Sequence, residues 1–200
     1  MNSSIKRKND DDSGSSTGPK KSFKGHWSQG LLQSMSDPAL LVEKDEKIVI
    51  IKDKYPKAKY HFLVLPQECI PDLKSLNSSH LKLLKYMHKK GENLAAQYPG
   101  SEFRFGYHAI PSMSQIHLHV ISQDFNSPCL KTKKHWNSFT TSYFIDSDML
   151  IQQLKEKGNV KSLSEANGKQ LLSEPLKCHK CDFVPKNMPN LKEHLLKHIE

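Results

Sequence analysis

The sequence predicts an α+β fold, in which helices cover a small and mostly antiparallel sheet, with a small separate unit at the C-terminus. Three observations predict it: short runs that alternate apolar and polar residues, an amphipathic run with helical spacing between them, and a tight Cys and His pattern near the end of the chain. At 200 residues with 36% hydrophobic content, the chain can bury one moderate core and one small satellite.

Residues 1–24 are rich in Ser, Gly, Asp and Lys and hold almost no apolar residues. Such a segment cannot bury enough surface to fold, so we expect a disordered tail. Its clusters KRK and PKK are typical of nuclear localisation signals, although a solubilising tail explains them equally well. We expect a soluble nuclear protein without a membrane partner, because no apolar run approaches the roughly 20 residues of a membrane span.

A folded α+β domain is predicted to span residues 25–158 and to begin with a hairpin. The runs KIVIIK, at 47–52, and YHFLVLP, at 60–66, are rich in β-branched and aromatic residues. The segment DKYPKAK joins them, and its Pro and charges mark a connection. The two runs therefore predict an antiparallel pair.

The period changes after this hairpin. The run NSSHLKLLKYMHKKGENLAAQ begins with a cap at Asn77 or Ser78 and continues with helical spacing. An amphipathic helix packed on the sheet is therefore predicted. Its buried face is predicted to hold Leu81, Leu84, Met87 and Leu94.

A second hairpin follows from FRFGYHAI, at 103–110, and SQIHLHVIS, at 114–122, with the turn PSMS between them. The second run alternates polar and apolar residues over its length. Because alternate residues of a strand share a face, the pattern predicts that Gln115, His117 and His119 project together.

Two imidazoles on one face suit phosphorus chemistry. A neutral imidazole can attack phosphorus and form a phosphoramidate that water later opens, if a hydrogen bond keeps its other nitrogen protonated. A second imidazole two residues on can stabilise charge or donate a proton. The spacing of His117 and His119 fits this chemistry, but it fits two half-buried strand residues or two metal ligands equally well.

The C-terminal segment 176–200 has the ligand types and spacing of a C2H2 zinc finger, with residues 159–175 as a connecting segment. Leu191 is predicted to be its core residue and Phe183 to pack beside it. Zinc would supply most of its folding energy, so Zn²⁺ is expected as a structural cofactor. No arginine lies at its helix start, which favours contact with a nucleic-acid backbone over base reading; protein binding is the alternative. The predicted ligands are Cys178, Cys181, His194 and His198.

The chain resembles the aprataxin family of DNA 5′-adenylate hydrolases, a branch of the histidine-triad superfamily with the motif His-φ-His-φ-His-φ-φ. The resemblance rests on GHWSQGL, KDKYPKAKYHFLVLP, GYHAIPSMS, HLHVISQDF and KKHWNSF, in this order, with the finger behind them. It covers nearly everything after Lys24. It implies a histidine-triad-like antiparallel sheet with packed helices and an enzyme that removes AMP from DNA 5′-phosphates left by abortive ligation.

The resemblance also implies roles for individual residues. His117 matches the nucleophile that forms a covalent AMP intermediate, and His119 matches its supporting partner. His108 matches the residue that assists the departing DNA phosphate, and no metal is expected in the chemical step. His61 could support the site, or be a strand histidine satisfied by packing. The residues implied to bind substrate are Asp53 at the ribose, Lys57 and Ser112 at the phosphate, and Trp27 at the terminal base pair.

Gln115 departs from the family, because it replaces the first histidine of the motif. An amide cannot take a proton at neutral pH. We expect a mild effect, since Gln115 can still offer its backbone carbonyl to orient His117 and its amide to a phosphate oxygen. An inactive variant is the alternative.

A net charge of +9 favours a polyanionic partner. The cations Lys131, Lys133 and Lys134 lie close to Trp136, and such a combination suits an exposed DNA end. Both tryptophans could instead complete the core, which is the favoured interpretation for Trp136.

The expected substrate is adenylated nicked or broken DNA, with RNA–DNA junctions as a further candidate and AMP as the product. Family members often carry a forkhead-associated domain that recruits protein partners, and nothing before Lys24 could fold as one. Two other functions stay open: a histidine-triad hydrolase of small adenylated molecules, and a DNA-end-binding protein whose catalytic residues have decayed.

Overall fold

The computed structural model describes residues 30–199, so the predictions on residues 1–24 and on Trp27 lie outside the described part of the chain. One six-stranded sheet, with the strand order β1-β2-β3-β5-β4-β6 and antiparallel pairing throughout, forms the centre of the fold. Its strands are β1 (Leu41–Lys44), β2 (Ile48–Lys52), β3 (His61–Pro66), β4 (Phe103–His108), β5 (Leu118–Ser122) and β6 (Phe144–Asp146).

Helices cover both faces of this sheet. The α-helices are α1 (Gly30–Ser34), α2 (Leu81–Ala95), α3 (Lys133–Thr140), α4 (Ser147–Lys157), α5 (Glu165–Ser173) and α6 (Met188–Leu195). Short 3₁₀ turns lie at Leu73–Ser75, Ser78–His80 and Leu196–His198. Within the described residues, no helix is both long and apolar enough to cross a membrane.

Both predicted hairpins are present, because β2 pairs with β3 and β4 pairs with β5. The predicted amphipathic helix is α2, and Asn77 caps the 3₁₀ turn that precedes it. It buries Leu84, Met87 and Leu94 against the sheet, and Leu81 packs on the same core.

Alternation along β5 separates the two faces of the sheet. Leu118 and Val120 point into the core beneath α2 and α4. Ile121 belongs to a second core on the opposite face, beneath α3. His119 therefore points to this second face, where α3 forms one wall of a cleft.

The predicted connecting segment 159–175 contains the nine-residue helix α5, which the sequence pattern did not predict. Ser164 caps it, and α5 packs against α3. A Cβ on Gly168 would lie 2.6 Å from the side chain of Ile110. This segment therefore supports both α3 and the loop that joins β4 to β5.

Candidate active site and zinc finger

Four buried or half-buried histidines meet where β3, β4 and β5 face α3. His61 opens β3, His108 ends β4, His119 lies within β5, and His117 directly precedes β5. Their cleft has a volume of about 460 Å³. The sheet thus gathers residues that are up to 58 positions apart in the sequence.

The hydrogen bond of His117 fixes which nitrogen is free to react. Its Nδ1 lies 2.9 Å from the backbone oxygen of Gln115. Because a carbonyl oxygen only accepts, Nδ1 must carry the proton, and Nε2 keeps its lone pair. Burial lowers the pKa of His117, an effect that the Gln115 carbonyl and Asp53 partly offset. The ring is therefore neutral at neutral pH, and a neutral imidazole with a free lone pair can act as a nucleophile.

A second chain of hydrogen bonds orients His119. The backbone N–H of Lys57 donates to Nδ1 of His61 at 3.2 Å, so the proton of His61 lies on Nε2. This Nε2 lies 2.9 Å from Nδ1 of His119 and donates to it. His119 consequently carries its proton on Nε2, which is buried and has no hydrogen-bond partner in the structure. That N–H is available to a ligand in the cleft.

Burial keeps the supporting histidines uncharged. It lowers the pKa of His61 to about 4 and that of His108 to about 3. It also lowers the pKa of His119 well below its ordinary value. The ring of His108 lies 4.4 Å from that of His119, centre to centre. As neutral rings, these residues can donate hydrogen bonds but hold no extra proton to give.

Cations and polar groups line the mouth of the cleft. Lys57 is half-buried, and burial lowers its pKa while Asp53 partly restores it. A carboxylate oxygen of Asp53 lies 3.5 Å from Nδ1 of His61. Ser112 is exposed at the opposite wall. The structure therefore brings the predicted residues Asp53, Lys57 and Ser112 to the histidines.

Of the three lysines predicted to bind substrate, in or just before α3, two line the cleft and one does not. Lys131 and Lys134 line the cleft. Lys133 instead donates to the backbone oxygen of Ser173 at the end of α5, 2.9 Å away. It holds α3 and α5 together and is not among the residues that line the cleft. Trp136 is 1% exposed, which confirms the favoured interpretation of this residue as part of the core.

Gln115 does not share a face with the histidines, and its predicted contact with a phosphate is wrong. β5 begins only at Leu118, and Gln115 has a φ of 81°. Its amide nitrogen donates to the oxygens of Pro66 and Glu68 at 2.8 and 2.7 Å, and its Oε1 accepts from the N–H of Ile70 at 3.1 Å. The backbone part of the prediction is correct, since its carbonyl holds His117.

Several residues of the cleft were not predicted as site residues, and three of them make well-defined contacts. His135 lines it from α3, and the N–H of Lys131 donates to its Nδ1 at 3.3 Å. Phe139 packs its edge against His61 and His119. Tyr143 donates to the backbone oxygen of Ile110 at 2.6 Å. His135 and Phe139 lie within the segment KKHWNSF, and Tyr143 follows it four residues later. The family resemblance includes this segment, but only its lysines and its tryptophan were predicted to have a role.

An apolar groove of about 220 Å³ adjoins the cleft. Asp53, Tyr55, Leu63 and Met113 line both cavities, so the two are continuous. Leu31 and Ile51 complete the apolar walls. Such a groove beside a carboxylate suits a flat base attached to a ribose.

The four predicted zinc ligands converge at the C-terminus. Sγ of Cys181 lies 3.2 Å from Nε2 of His194 and 3.5 Å from Nε2 of His198, and Sγ of Cys178 lies 3.5 Å from the latter. Tetrahedral zinc with Zn–S of about 2.3 Å and Zn–N of about 2.0 Å requires S-to-N separations of about 3.5 Å. The donor set therefore fits structural zinc.

The finger packs as predicted and also joins the second core. Leu191 is fully buried, and Phe183 stacks on His194 with ring centres 4.0 Å apart. Finger residues share one apolar cluster with Ile121, Trp136 and other residues of the catalytic sheet and α3. The finger contributes Leu176, Cys178, Leu191 and Leu195 to this cluster.

Asp53, His61 and His119 also lie close enough to share an ion. The facing nitrogens of His61 and His119 already bond to each other, however. We therefore assign this trio to the hydrogen-bond chain rather than to a metal centre.

Comparisons with known proteins agree with this architecture. A family model described as scavenger mRNA decapping enzyme C-term binding matches residues 26–135. A second one, described as a C2HE / C2H2 / C2HC zinc-binding finger, matches residues 140–200. The structure of the aprataxin orthologue Hnt3 in complex with DNA superposes with a TM-score of 0.70 at 24% identity, over 89% of this chain and 95% of that one.

Relatives in sequence carry the same name. Aprataxin of Gallus gallus is 57% identical over 185 residues, which is 91% of this chain. The chain spans 58% of that protein and 56% of aprataxin of Danio rerio, so it matches only about half of these relatives. The aprataxin-like protein of Saccharomyces cerevisiae is 31% identical over 78% of this chain and 84% of its own length. Together with the cleft and the finger, these matches show that the chain belongs to the aprataxin family.

Proposed function

We propose that this protein hydrolyses the AMP group from adenylated DNA 5′-ends and forms a covalent AMP–His117 intermediate. The observation that carries the proposal is the tautomer of His117, whose unprotonated Nε2 faces a cleft with cationic residues at its mouth. The relatives named aprataxin and the Hnt3 complex with DNA support it.

The first step forms a bond between Nε2 of His117 and the phosphorus of AMP. The bond from this phosphorus to the oxygen of the DNA 5′-phosphate breaks, and the electron pair leaves with the DNA. The N–H of His119 and the ammonium of Lys57 stabilise the negative charge on the phosphoryl oxygens. The Gln115 carbonyl meets the positive charge that develops on the His117 ring.

The second step opens the phosphoramidate. Water attacks the phosphorus, the bond to Nε2 of His117 breaks, and the released proton leaves to solvent, so that AMP departs and the neutral ring returns. The apolar groove would hold the adenine, and Asp53 would accept from the ribose hydroxyls. Phe139 packs on His61 and His119 and limits the access of water to that side of the rings.

The duplex would lie across Lys131, Lys134 and the finger. The positive net charge favours this partner. Structural Zn²⁺ would hold the finger, and the chemical step needs no metal. We further propose RNA–DNA junctions as a substrate. The basic clusters of residues 1–24 remain the ground for a nuclear location.

Hydrolysis of small adenylated molecules is the second candidate. The observation that favours it is that the base groove and the nucleophile lie within one catalytic domain. A decayed DNA-end binder is the third, although the reactive tautomer of His117 argues against it.

Two substrates separate these functions: a nicked duplex with a 5′-adenylate and adenosine 5′-phosphoramidate. We expect AMP release from both, with preference for the duplex. The variant His117→Ala should show no turnover and unchanged affinity for the duplex. The control His80→Ala lies outside the cleft; it loses a capping bond from the N–H of Asn77, so its turnover and affinity should match wild type. Mass spectrometry of quenched enzyme should locate AMP on His117. Multiple turnovers by His117→Ala would refute the assignment of His117 as the nucleophile. If the wild-type protein binds the duplex but releases no AMP, it is a decayed enzyme.

A further inference from the structure

A buried serine joins the finger to the catalytic cleft. Ser127 is 3% exposed and lies in the connection between β5 and α3. Its hydroxyl donates to the backbone oxygen of Pro56 at 2.6 Å and accepts from the N–H of Cys129 at 3.1 Å. Its own carbonyl accepts from Nζ of Lys192 in α6 at 2.9 Å.

The peptide group between Pro56 and Lys57 connects this serine to the histidines. Its C=O accepts from Ser127, and its N–H donates to Nδ1 of His61 at 3.2 Å. The two groups belong to one rigid plane, so the bond from Ser127 also sets the direction of the N–H.

Two partners compete for Nδ1 of His61. The N–H of Lys57 requires an unprotonated Nδ1, whereas the carboxylate of Asp53, at 3.5 Å, favours a protonated one. The orientation of the peptide plane therefore decides the tautomer of His61.

We propose that Ser127 is a positioning residue for the hydrolysis and that Lys192 of the finger holds it in place. The role rests on the proposed function. Ser127 keeps the peptide plane turned so that His61 donates to His119, and His119 presents its Nε2–H to the cleft.

If the plane rotates, His61 takes the Nδ1–H tautomer and its Nε2 becomes an acceptor. His119 must then donate from Nδ1, and its Nε2 offers a lone pair where the phosphoryl oxygens need a donor. Both rings exchange protons with solvent, and neither changes its charge.

The inference gives the finger a part in the chemistry. Lys192 lies two residues before the zinc ligand His194, on the same helix. A zinc-bound finger thus supports the amine that holds Ser127, in addition to any contact with DNA.

The variants Ser127→Ala and Lys192→Met test the proposal in the full, zinc-loaded chain. Lys197→Met is the matched control, because Lys197 is an exposed lysine beside the zinc ligand His198 and makes no hydrogen bond to the catalytic domain within residues 30–199. Nitrogen NMR of ¹⁵N-histidine-labelled protein reports the tautomers of His61 and His119. Steady-state kinetics on adenosine 5′-phosphoramidate reports kcat and KM without a DNA contact.

In wild type and Lys197→Met we expect Nε2–H tautomers for both rings. Ser127→Ala should populate Nδ1–H forms and lower kcat about tenfold, with KM changed less than about twofold, as expected for loss of one buried hydrogen bond. Lys192→Met should change the tautomer populations and kcat in the same direction as Ser127→Ala, but to a smaller extent. Unchanged tautomers in folded Ser127→Ala, or tautomers that change without a fall in kcat, would overturn the proposal. If wild type releases no AMP from either substrate, the proposed function fails, and the tautomers alone decide the role of Ser127.

Discussion

Gln115 makes hydrogen bonds through both its backbone and its side chain. Its carbonyl fixes the proton of His117, and its amide bonds three backbone groups of the segment 66–70. All of the hydrogen-bonding groups of this side chain are satisfied by the fold. The residue therefore has a structural role, and its amide carries no titratable proton at neutral pH.

The variant Gln115→His tests this role. An imidazole offers one donor and one acceptor, so at least one of the three backbone groups would lose its partner, at a cost of about 1–3 kcal/mol. We expect a less stable protein and a single-turnover rate no higher than roughly ten times that of wild type, with no new ionisation near neutral pH. Rates measured with excess enzyme across a pH series decide the matter. A gain of about a hundredfold with a new inflection would show that a titrating group is needed there.

The neutral histidines of the cleft also predict how stability depends on pH. The pKa of His61 falls from 6.5 to about 4 on folding, and that of His108 falls from 6.5 to about 3. The unfolded chain therefore binds more protons between these values, and the free energy of unfolding should decrease as the pH falls below 6.5. For His61 the loss is on the order of 3 kcal/mol. Urea unfolding at a series of pH values measures it, and His108→Phe should reduce the slope. A free energy that stays constant between pH 6.5 and 4.5 would contradict neutral burial.

At the scale of elements, β4 and β6 approach closely at Gly106. A Cβ at this position would collide with the backbone oxygen of Ile145 and would lie 2.5 Å from the ring of Phe144. Only glycine lets β6 pair with β4 at this distance. The pairing matters for the site because His108 follows two residues later and pairs with Phe144.

We predict that Gly106→Ala destabilises the protein by about 1–3 kcal/mol, as overpacking in a core does, and displaces His108. Gly30→Ala is the control, because its nearest new contact would be the Met113 sulfur at 3.9 Å. In denaturant unfolding, the free energies of unfolding of the two variants should differ by at least about 1 kcal/mol. Equal stability would mean that β6 can shift without cost.

The sequence predicted the elements that have a strong hydrophobic periodicity. It missed features that depend on contacts between residues distant in the sequence. Alternation located β2, β3, β4 and most of β5, and helical spacing located α2. Alternation also placed Gln115 in the strand, because periodicity cannot detect a backbone at positive φ that bonds to residues 70 and 71.

The site shows the same division. Motif resemblance identified His117, His119, His108, Lys57 and Asp53, which the structure brings to one cleft. The role of His61 stayed open, because it depends on the N–H of a residue in a turn. The bond of Lys133 to Ser173 was not predicted, because its partner lies on α5, a helix without strong amphipathic spacing.

At the scale of the whole molecule, the finger is built into the catalytic unit. Besides the shared apolar cluster, Trp136 donates to the backbone oxygen of Lys177 at 3.0 Å, and Lys180 pairs with Glu102 at 2.8 Å. A ring nitrogen of His179 lies 3.0 Å from the backbone oxygen of Gln123. Folding of the finger and of the second core is therefore expected to be cooperative.

Removal of one zinc ligand tests this cooperativity. In Cys181→Ser the tetrahedral site is incomplete, so the finger loses the metal that supplies most of its folding energy. Because Leu191 and Leu195 close the core over Trp136, we expect a single unfolding transition whose midpoint falls by at least about 10 °C, which corresponds to a loss of 3–5 kcal/mol. Cys69→Ser, at an exposed thiol outside the finger, is the control and should match wild type.

The same variant separates a finger that only binds DNA from one that also supports the catalytic domain. An independent finger predicts a large loss of activity on adenylated duplex and almost none on adenosine 5′-phosphoramidate. The shared core and the bond from Lys192 to Ser127 predict that turnover of the small substrate also falls, by about tenfold, with a larger loss on the duplex. Calorimetry and both assays, run below the midpoint of the variant, decide between them. Two separate transitions together with full activity on the small substrate would show that the finger folds and works on its own.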